Sequence, residues 1–565
     1  MKYKNIYLYM LIIFISSIPI FNDFLIRGHD IYFHLMRIEG LADGLRCGQF
    51  PVRIQPTWYG GFGYAVSVFY GDLFLYPVAI LRLLGVSLQN SYKVYLFMCN
   101  IATTLIAGYS FNGIFKNKYI GLFGSAIYSF AVYRLVNLYT RGALGEYTGM
   151  MFLPLIVYAC VLLLEKENLK KGTVLLGCGM SFILQSHILT TELVCIMLSI
   201  VVVFYLCRHW NKDVILSGIK AILIAIGISL GFLVPFLDYV LNGTYNINSN
   251  SREVALIQRM GIFLSQIFPL YDNAIGQSLD ISFGTQEDFA QGVGLGLFFI
   301  VPVFFLVTLL NYKRVNKKCE WTIVLYTVFI GGLAVIFSTV YFPWDYLCKV
   351  NTFFKYIITN IQFPWRFTAI ATVCFATAWC GVVKLIYRQY GKVICLLSAL
   401  SVLVLMLLSL MHFYLDLFDR GQRIQVKQLQ DMDSYVQSGE EYFPEGTIME
   451  NLHWDISMIS DEIEITEFCK NGTELYFHCQ NNSGKAIEVE LPLLYYPGYK
   501  AIYVKENKEN PVTLTVGENN VVSILIDGNM DSDIKVFYKE PWYWRVSEIV
   551  SVISILGIIV FCILC

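Results

Sequence analysis

Charged residues are scarce in this chain, and their scarcity excludes a soluble globular protein. Only 15% of the 565 residues are charged, whereas 56% are hydrophobic and the mean hydropathy is +0.57. A soluble domain has roughly 25% charged and about 45–50% apolar residues. The formal net charge is −1, and no cluster of basic residues forms a nucleic-acid footprint. The composition therefore predicts a polytopic membrane protein that does not bind nucleic acid.

The N-terminus lacks the small-residue cleavage site of a secretory signal peptide. Lys2 and Lys4 precede the apolar run from Ile6 to Ile20, and without a cleavage site this run is predicted to remain as the first span. Disulfide and metal signatures are also missing, because most of the 15 cysteines lie in apolar segments where they act as small hydrophobes. Examples are Cys160, Cys178, Cys374 and Cys395.

Apolar runs long enough to cross a bilayer, which takes about 20 residues, recur along the chain. They predict an all-α polytopic membrane protein with about twelve transmembrane helices. The candidate spans are 5–24, 91–112, 119–134, 147–164, 172–188, 190–207, 214–240, 291–311, 321–341, 366–387, 393–416 and 544–565.

Loop charge decides the orientation of these spans. The segment 66–84 is apolar but contains Asp72, Pro77 and Arg82. If it does not cross, five basic loops all fall on the cytoplasmic side, as the positive-inside rule requires. We therefore interpret 66–84 as a juxtamembrane or re-entrant part of a long first external loop, 25–90. The five basic loops are 115–118, 165–171, 208–213, 311–318 and 387–392.

The chain changes character after residue 417. Segments 462–468, 474–480, 486–496 and 521–526 alternate apolar and polar residues, which predicts strands. We predict a transmembrane module over 1–417, an external β-rich domain over 418–542 and a final transmembrane helix over 543–565. A hairpin turn at Asn471–Gly472 would place Cys469 opposite Glu474, and a disulfide between Cys469 and Cys479 is therefore not favoured.

The stretch from Arg27 to Gly40 places ionisable residues directly after the first span. Such residues beside a bilayer indicate a functional site, although a solvated amphipathic turn would also explain them. Asp30 and His34 are four residues apart, so one helix would bring them together. Asp30 could be a general base oriented by an imidazole, or it could bind a divalent metal ion with His29 or His34. The base is favoured, since a metal needs a further ligand, for which Asp72, Glu146 and His187 are the candidates.

Two further external segments carry ionisable residues. Arg141 and Glu146 flank glycines just before a span, and Glu146 is predicted to join Asp30 in one cleft. The alternative is that Arg141 snorkels to the interface while Glu146 caps the next helix. His187 also lies at an external boundary, where a tight turn would account for it equally well.

The segment IQFPWRF places Gln362, Trp365 and Arg366 where a span enters from the external side. A guanidinium forms bidentate hydrogen bonds to phosphate oxygens, so Arg366 is the candidate to hold a lipid-linked phosphate. An interfacial aromatic and arginine anchor is the alternative.

Several motifs together resemble a known family. GHDIYFHLMRIEGLADGL, QFPVRI, WYGGFGY, VFYGDLFLYP, RGALGEY, SHIL and QFPWRF are similar to the bacterial membrane proteins labelled 6-pyruvoyl-tetrahydropterin-synthase-related, which are close kin of the YfhO-like proteins. GEEYFP and YYPGYK resemble the external domain of YfhO-like proteins. The mention of a pterin in the family label does not indicate a reaction for this chain.

Such proteins are similar to the GT-C superfamily of integral-membrane glycosyltransferases. The resemblance implies an inverting transferase that moves a sugar from a polyprenyl-phosphate-linked donor to a cell-surface glycan, lipid or protein. It also implies a bacterial plasma-membrane location, contact with membrane lipids and an external C-terminal domain. No cofactor is certain, and a divalent metal ion stays open.

Site residues carry over by position in the motifs. Asp30 matches the early loop acid that deprotonates the acceptor, and Arg366 is nominated for the leaving phosphate. Glu146 carries over only as a charged loop position, and Asp72 departs from the pattern, in which a proline often follows the glycine of VFYG. Asp30 and Glu146 are thus the catalytic candidates. The substrate-binding candidates are His29, His34, Arg37, Asp72, Arg141, His187, Gln362, Trp365 and Arg366.

A different class of function stays open alongside the enzyme. The chain could be a lipid or polysaccharide transporter or flippase, or a non-catalytic envelope-assembly factor. Transport is typically accompanied by charges near the bilayer midplane, whereas here the ionisable residues gather on one face. That asymmetry favours chemistry at the membrane surface.

Overall fold

The structure is a computed structural model that describes residues 2–249, 255–267, 291–315, 319–428, 439–455, 462–505 and 508–564. It confirms the predicted class of a mostly helical chain with apolar spans and a C-terminal β-rich region. The chain divides into two compact units. The first comprises Met1–Ile31, Lys93–Ile226 and Arg252–Val426, and the second comprises Tyr32–Tyr92, Gly227–Ser251 and Lys427–Cys565.

Seven helices within the described residues are long and apolar enough to cross a membrane. An eighth span is formed if the helices Lys118–Ser129 and Val132–Arg141, which are bent by 50°, are counted together. The seven helices are Leu88–Phe115, Leu144–Leu164, Ile188–Arg208, Lys212–Asn242, Glu320–Ser338, Pro364–Arg420 and Trp542–Ile563.

Two things account for the difference from the twelve predicted segments. The range Pro364–Arg420 counts once although the helix ends at Gly391, whose φ is 85°, and a second helix follows, so segments 366–387 and 393–416 are two helices as predicted. Trp379 and Met406, on opposite sides of this break, both lie against Gly296. Three other segments form helices of 16 residues or fewer, which are shorter than a full span. These are Lys2–Ser16, Leu169–Leu184 and the pair Leu295–Phe298 and Ile300–Val315.

In the helical unit, polar side chains cap two helices and fix where they begin. Asn117 accepts hydrogen bonds from Tyr119 N and Ile120 N at the start of Lys118–Ser129, and Asn168 caps Leu169–Leu184 by accepting from Lys171 N. Such caps satisfy backbone donors that the first helical turn leaves unpaired.

The second unit begins with helix Ile31–Arg46, of which it holds the residues from Tyr32 on. Segment 66–84 forms two short helices, Val66–Phe69 and Tyr76–Leu83, separated by Gly71 and its neighbours. Neither is long enough to cross a bilayer.

The same unit holds a seven-stranded antiparallel sheet. It contains the four predicted strands and three that the sequence reading missed, Tyr499–Lys505, Lys508–Val516 and Asp531–Tyr538. The spatial order of the strands is Ile463–Asn471, Glu474–Asn481, Asp531–Tyr538, Tyr499–Lys505, Lys508–Val516, Val521–Ile526 and Ile487–Leu494.

The predicted hairpin forms, but its turn is one residue later than predicted, since Asn471 lies opposite Glu474 and the loop residues are Gly472 and Thr473. The predicted neighbour of Cys469 was wrong, because Cys469 faces Tyr476 while Cys479 faces Ile465. The one-residue displacement of the turn accounts for this partner. A further irregularity between Thr466 and Cys469 shifts only the pairs from Thr466 onward, as a bulge does when it inserts an extra residue into one strand. Both cysteines are free thiols.

Lys470 lies beside this hairpin and is largely withdrawn from water. Its Nζ donates hydrogen bonds to the carbonyl oxygens of Gly61, at 2.5 Å, and Pro492, at 2.6 Å. Burial lowers the pKa of Lys470 to about 8, because desolvation disfavours the charged form.

Replacing Lys470 tests this burial through pH. Below pH 8 the lysine is charged in both the folded and the unfolded protein, so desolvation of the charge destabilises the folded state. Above pH 8 the lysine of the folded protein loses its proton, whereas that of the unfolded protein keeps it up to a higher pH. Wild type should therefore gain stability relative to Lys470→Met between pH 8 and about 10.4, the ordinary lysine pKa. Thermal unfolding of both proteins across this range measures the difference. A difference in Tm that does not change with pH would contradict the assignment.

Candidate functional site

A break in the helical unit sets up the candidate site. Helix Val132–Val136 continues as a π-helical turn, Asn137–Arg141, and ends at Gly142, whose φ is 66°. π-Turns are rare and often occur at functional sites. Here the turn brings Asn137 and Arg141 together, and Arg141 Nη1 donates to Asn137 Oδ1 at 2.5 Å. The chain then enters helix Leu144–Met150, which carries Glu146.

Glu146 is the centre of a buried cluster, with its side chain only 1% exposed. Its Oε2 lies 2.9 Å from Arg141 Nη1 and 3.4 Å from Arg366 Nε. Its Oε1 accepts hydrogen bonds from Tyr133 OH at 2.5 Å and from Asn137 Nδ2 at 3.3 Å. A buried carboxylate is tolerated only when paired and hydrogen-bonded, and this one is held by four side chains.

Arg366 enters the cluster from a short 3₁₀ helix, Pro364–Phe367, that begins the span to Arg420. Its Nη1 donates to Gln362 Oε1 at 2.9 Å. The predicted group Gln362, Trp365 and Arg366 therefore meets Glu146 and Arg141, and the guanidinium of Arg141 lies 4.4 Å from the centre of the Trp365 ring. Stacking on an aromatic face stabilises a desolvated guanidinium.

Asp30 lies at the accessible side of this cluster. Its backbone N donates to the carbonyl oxygen of Arg141 at 2.9 Å, and its Oδ2 lies 3.9 Å from Arg141 Nη2. Gly28 permits this close approach, since a Cβ there would lie 2.7 Å from the Arg141 oxygen. The side chain of Asp30 is 44% exposed, so this carboxylate can meet a ligand that Glu146 cannot reach.

The two histidines of the helical unit that were predicted as site residues, His29 and His187, have different surroundings. His187 is buried and caps helix Ile188–Arg208, where its Nδ1 accepts from Thr190 N at 3.2 Å. It also lies within electrostatic range of Glu146, so the cap and the cluster are neighbours. His29 is exposed on the loop beside Asp30.

His34, Arg37 and Asp72 meet one another within the second unit. Arg37 pairs with Asp72, donates from Nη2 to the Gly71 oxygen at 3.0 Å and contacts His34 Nδ1 through Nη1 at 3.3 Å. The Tyr70 ring centre lies 3.9 Å from the guanidinium. These bonds hold the bend at Gly71, which is a structural use for all three side chains.

The predicted helix contains His34 but not Asp30, because helix Ile31–Arg46 begins one residue after Asp30. The backbone N–H of Asp30 donates to the carbonyl oxygen of Arg141. Gly28 allows the loop to approach residue 141 closely, and this contact is between residues far apart in the sequence.

The cluster is a poor match for a divalent cation. Hard cations take several oxygen ligands, whereas both oxygens of Glu146 are engaged and two guanidinium groups lie beside them. Within the described residues no three His, Cys, Asp or Glu side chains come together as metal ligands.

Tyr133 and Asn137 were missed by the sequence reading. Both lie in a mostly apolar run, where the spacing of Asn137 four residues before Arg141 was the available hint. Tyr133 carries no such hint, because it approaches Glu146 only through the bend between Ser129 and Val132.

Fold and cluster together define a polytopic membrane protein with a buried ion-pair network beside an accessible carboxylate. No family model matches the chain. It is 20% identical to an uncharacterised protein of Lactococcus lactis subsp. cremoris (strain MG1363), over 99% of this chain and 95% of that one.

Among solved structures, the chain is similar to the oligosaccharyltransferase of Archaeoglobus fulgidus in its apo form, with a TM-score of 0.44 and 12% identity. The match covers 73% of this chain. It spans only 56% of the length of the archaeal protein.

Glu146→Gln should destabilise the protein, whereas Asp30→Asn should not. The glutamine removes the charge that two buried guanidinium groups share, and breaking a buried pair in this way costs about 3–5 kcal/mol. Asp30 is half-exposed, and substitutions at such positions change stability by about 0.5 kcal/mol. Thermal unfolding of the purified variants measures both. Equal effects of the two substitutions would show that Glu146 does not hold the cluster.

Proposed function

We propose that this protein is a GT-C-type glycosyltransferase of the bacterial plasma membrane. It transfers a sugar from a polyprenyl-phosphate-linked donor to a cell-envelope glycan, lipid or protein on the external face. The motifs that resemble the 6-pyruvoyl-tetrahydropterin-synthase-related and YfhO-like proteins support this proposal. The orientation rests on the basic loops, which the positive-inside rule assigns to the cytoplasm.

The observation that carries the proposal is the pairing of an accessible acid with buried cations. Asp30 is exposed enough to accept a proton, while Arg141 and Arg366 lie behind it around Glu146. A transferase of this kind needs a base for the acceptor and positive charge for the phosphate leaving group. The helical unit holds candidates for both roles, and this supports the proposal.

The proposed reaction is a single displacement. Asp30 accepts the proton of the acceptor hydroxyl as the hydroxyl oxygen bonds to the anomeric carbon. The bond from that carbon to the phosphate oxygen breaks, and the polyprenyl phosphate leaves with the electron pair. Attack from the opposite face inverts the anomeric centre. Holding both reactants in line supplies much of the acceleration.

Arg366 and Arg141 stabilise the negative charge that develops on the phosphate. Fixed cations in a site with little water do this without reorganising during the reaction. Glu146 is a positioning residue in this scheme, since both its oxygens are occupied by the groups it orients. Gln362 positions Arg366 in the same way through its 2.9 Å hydrogen bond.

Asp30→Asn should abolish most of the transfer while the protein remains folded in the membrane. Loss of a general base lowers rates about 10²- to 10⁴-fold. Cells producing wild type, Asp30→Asn or the control Asp23→Asn, an exposed carboxylate of the same loop, are compared by mass spectrometry of surface glycans and glycolipids. Purified protein is then tested for consumption of a polyprenyl-phosphate sugar in detergent.

If purified Asp30→Asn transferred sugar at the wild-type rate, the assignment of Asp30 as the general base would be refuted. A protein that moves the donor across vesicles but never consumes it would instead be a transporter or flippase.

Arg366→Lys should raise the KM for the donor more than it lowers kcat. The lysine keeps the charge but loses the guanidinium fork, and a lost charged hydrogen bond of about 1.5–3 kcal/mol raises the donor KM roughly 10- to 100-fold. Steady-state kinetics separate KM from kcat. An unchanged KM with a lower Tm would assign Arg366 to an interfacial anchor.

A further inference from the structure

The helical unit contains a second feature, a half-enclosed cavity of about 490 Å³. It lies among four helices, Leu153–Leu164, Ile188–Arg208, Cys319–Ser338 and Thr368–Arg420. None of the residues of the charged cluster lines it. The cavity is therefore a separate site within the same unit.

The walls are apolar and the polar groups collect at one end. Side chains such as Val157, Cys160 and Val201 form the walls, while Glu165, Lys166 and His209 lie at the rim. On helix Ile188–Arg208 the lining runs from Val194 to Tyr205, which is about 17 Å at 1.5 Å per residue, and His209 follows just after the helix. The cavity is thus a long groove with a polar mouth.

A hydrocarbon chain is the occupant that such walls favour. Water needs two or more polar partners to settle in a cavity, and Thr327, one of the few hydroxyls here, already donates to the Ile323 oxygen at 2.8 Å. The surrounding helices are apolar enough to cross a membrane, so bilayer lipid is the ready source of such a chain.

The loops that adjoin the mouth carry a small excess of positive charge, while the two charged residues that line it, Glu165 and Lys166, have opposite signs. Loops 165–171 and 208–213 together contain five basic and three acidic residues. One of the acids, Glu167, is paired with Lys116 at 2.8 Å. Basic pockets between transmembrane helices on the cytoplasmic side bind the head groups of anionic lipids.

The mouth lies at the opposite end of the helices from the charged cluster. The span Leu144–Leu164 carries Glu146 at its start and leads to Glu165 at the rim, about 30 Å away along a helix. Helix Ile188–Arg208 likewise runs from His187 to the rim residue His209. The loops at this end are those that the positive-inside rule assigns to the cytoplasm.

We infer that this groove binds one acyl chain of an anionic phospholipid of the cytoplasmic leaflet, whose phosphate lies at the rim beside Lys166. The site is independent of the proposed transferase chemistry, because it shares no residue with the charged cluster.

Filling the groove should expel the lipid. Val201→Trp places a large ring in the cavity, and Val203→Trp is the matched control, because Val203 is 62% exposed on the same helix and does not line the groove. Native mass spectrometry of protein titrated with phosphatidylglycerol should show one tightly held lipid on wild type and Val203→Trp, and none on Val201→Trp. Retention of the lipid by Val201→Trp with an unchanged Tm would overturn the site.

Two measurements on folded protein complete the test. A phosphatidylglycerol probe with a diazirine in its acyl chain should label groove residues such as Cys160 in wild type, and labelling confined to the outer surface would overturn the inference. Lys166→Gln should reduce the preference for phosphatidylglycerol over phosphatidylcholine about fivefold. Equal binding of the two lipids by wild type, or recovery of a polyprenyl phosphate from the groove, would reject an anionic phospholipid as the occupant.

Discussion

The burial of one carboxylate, Glu146, is the constraint on which the helical unit depends. A buried charge is stable only if its partners are already in place, and those partners come from two segments that are far apart in the sequence. Tyr133 precedes the π-helical turn, Arg141 ends it, and Arg366 opens a span more than 200 residues later. The ion pairs thus join segments that hydrophobic packing alone would leave free to slide.

Breaks in the helices make these contacts available. The bend between Ser129 and Val132 frees backbone groups inside the membrane-spanning region, where every such group needs a partner. Arg134 meets part of this need, since its Nη1 donates to the Ser129 oxygen at 3.2 Å while Nη2 donates to Asn100 Oδ1 at 2.7 Å. A buried cation that satisfies a broken helix is therefore structural, although it looks as costly in the sequence as the arginines beside Glu146.

Hydropathy predicted most of the spans, alternation of polar and apolar residues predicted the β-rich region, and loop charge predicted that Asp30, Arg141, Glu146 and Arg366 lie on one side. These properties follow from the amount of apolar surface and from local composition. The residue spacing could not settle whether Asp30 pairs with His34. The answer depends on where the helix begins and on Gly28, which lets the backbone of Arg141 approach the loop. The predicted partner of Cys469 was wrong because the hairpin loop is Gly472–Thr473 rather than Asn471–Gly472, and moving a turn by one residue moves each partner on the opposite strand by two.

The two ends of the helical spans use charge in opposite ways. At the Glu146 end the ionisable groups are buried, so each must be compensated, and the resulting network is rigid and preorganised. At the groove mouth the rim residues Glu165, Lys166 and His209 are exposed, so their desolvation costs little and their field acts on whatever approaches. The first arrangement suits a reaction that needs fixed charges, and the second suits the reversible capture of a charged head group. One set of helices can therefore carry both without sharing a residue.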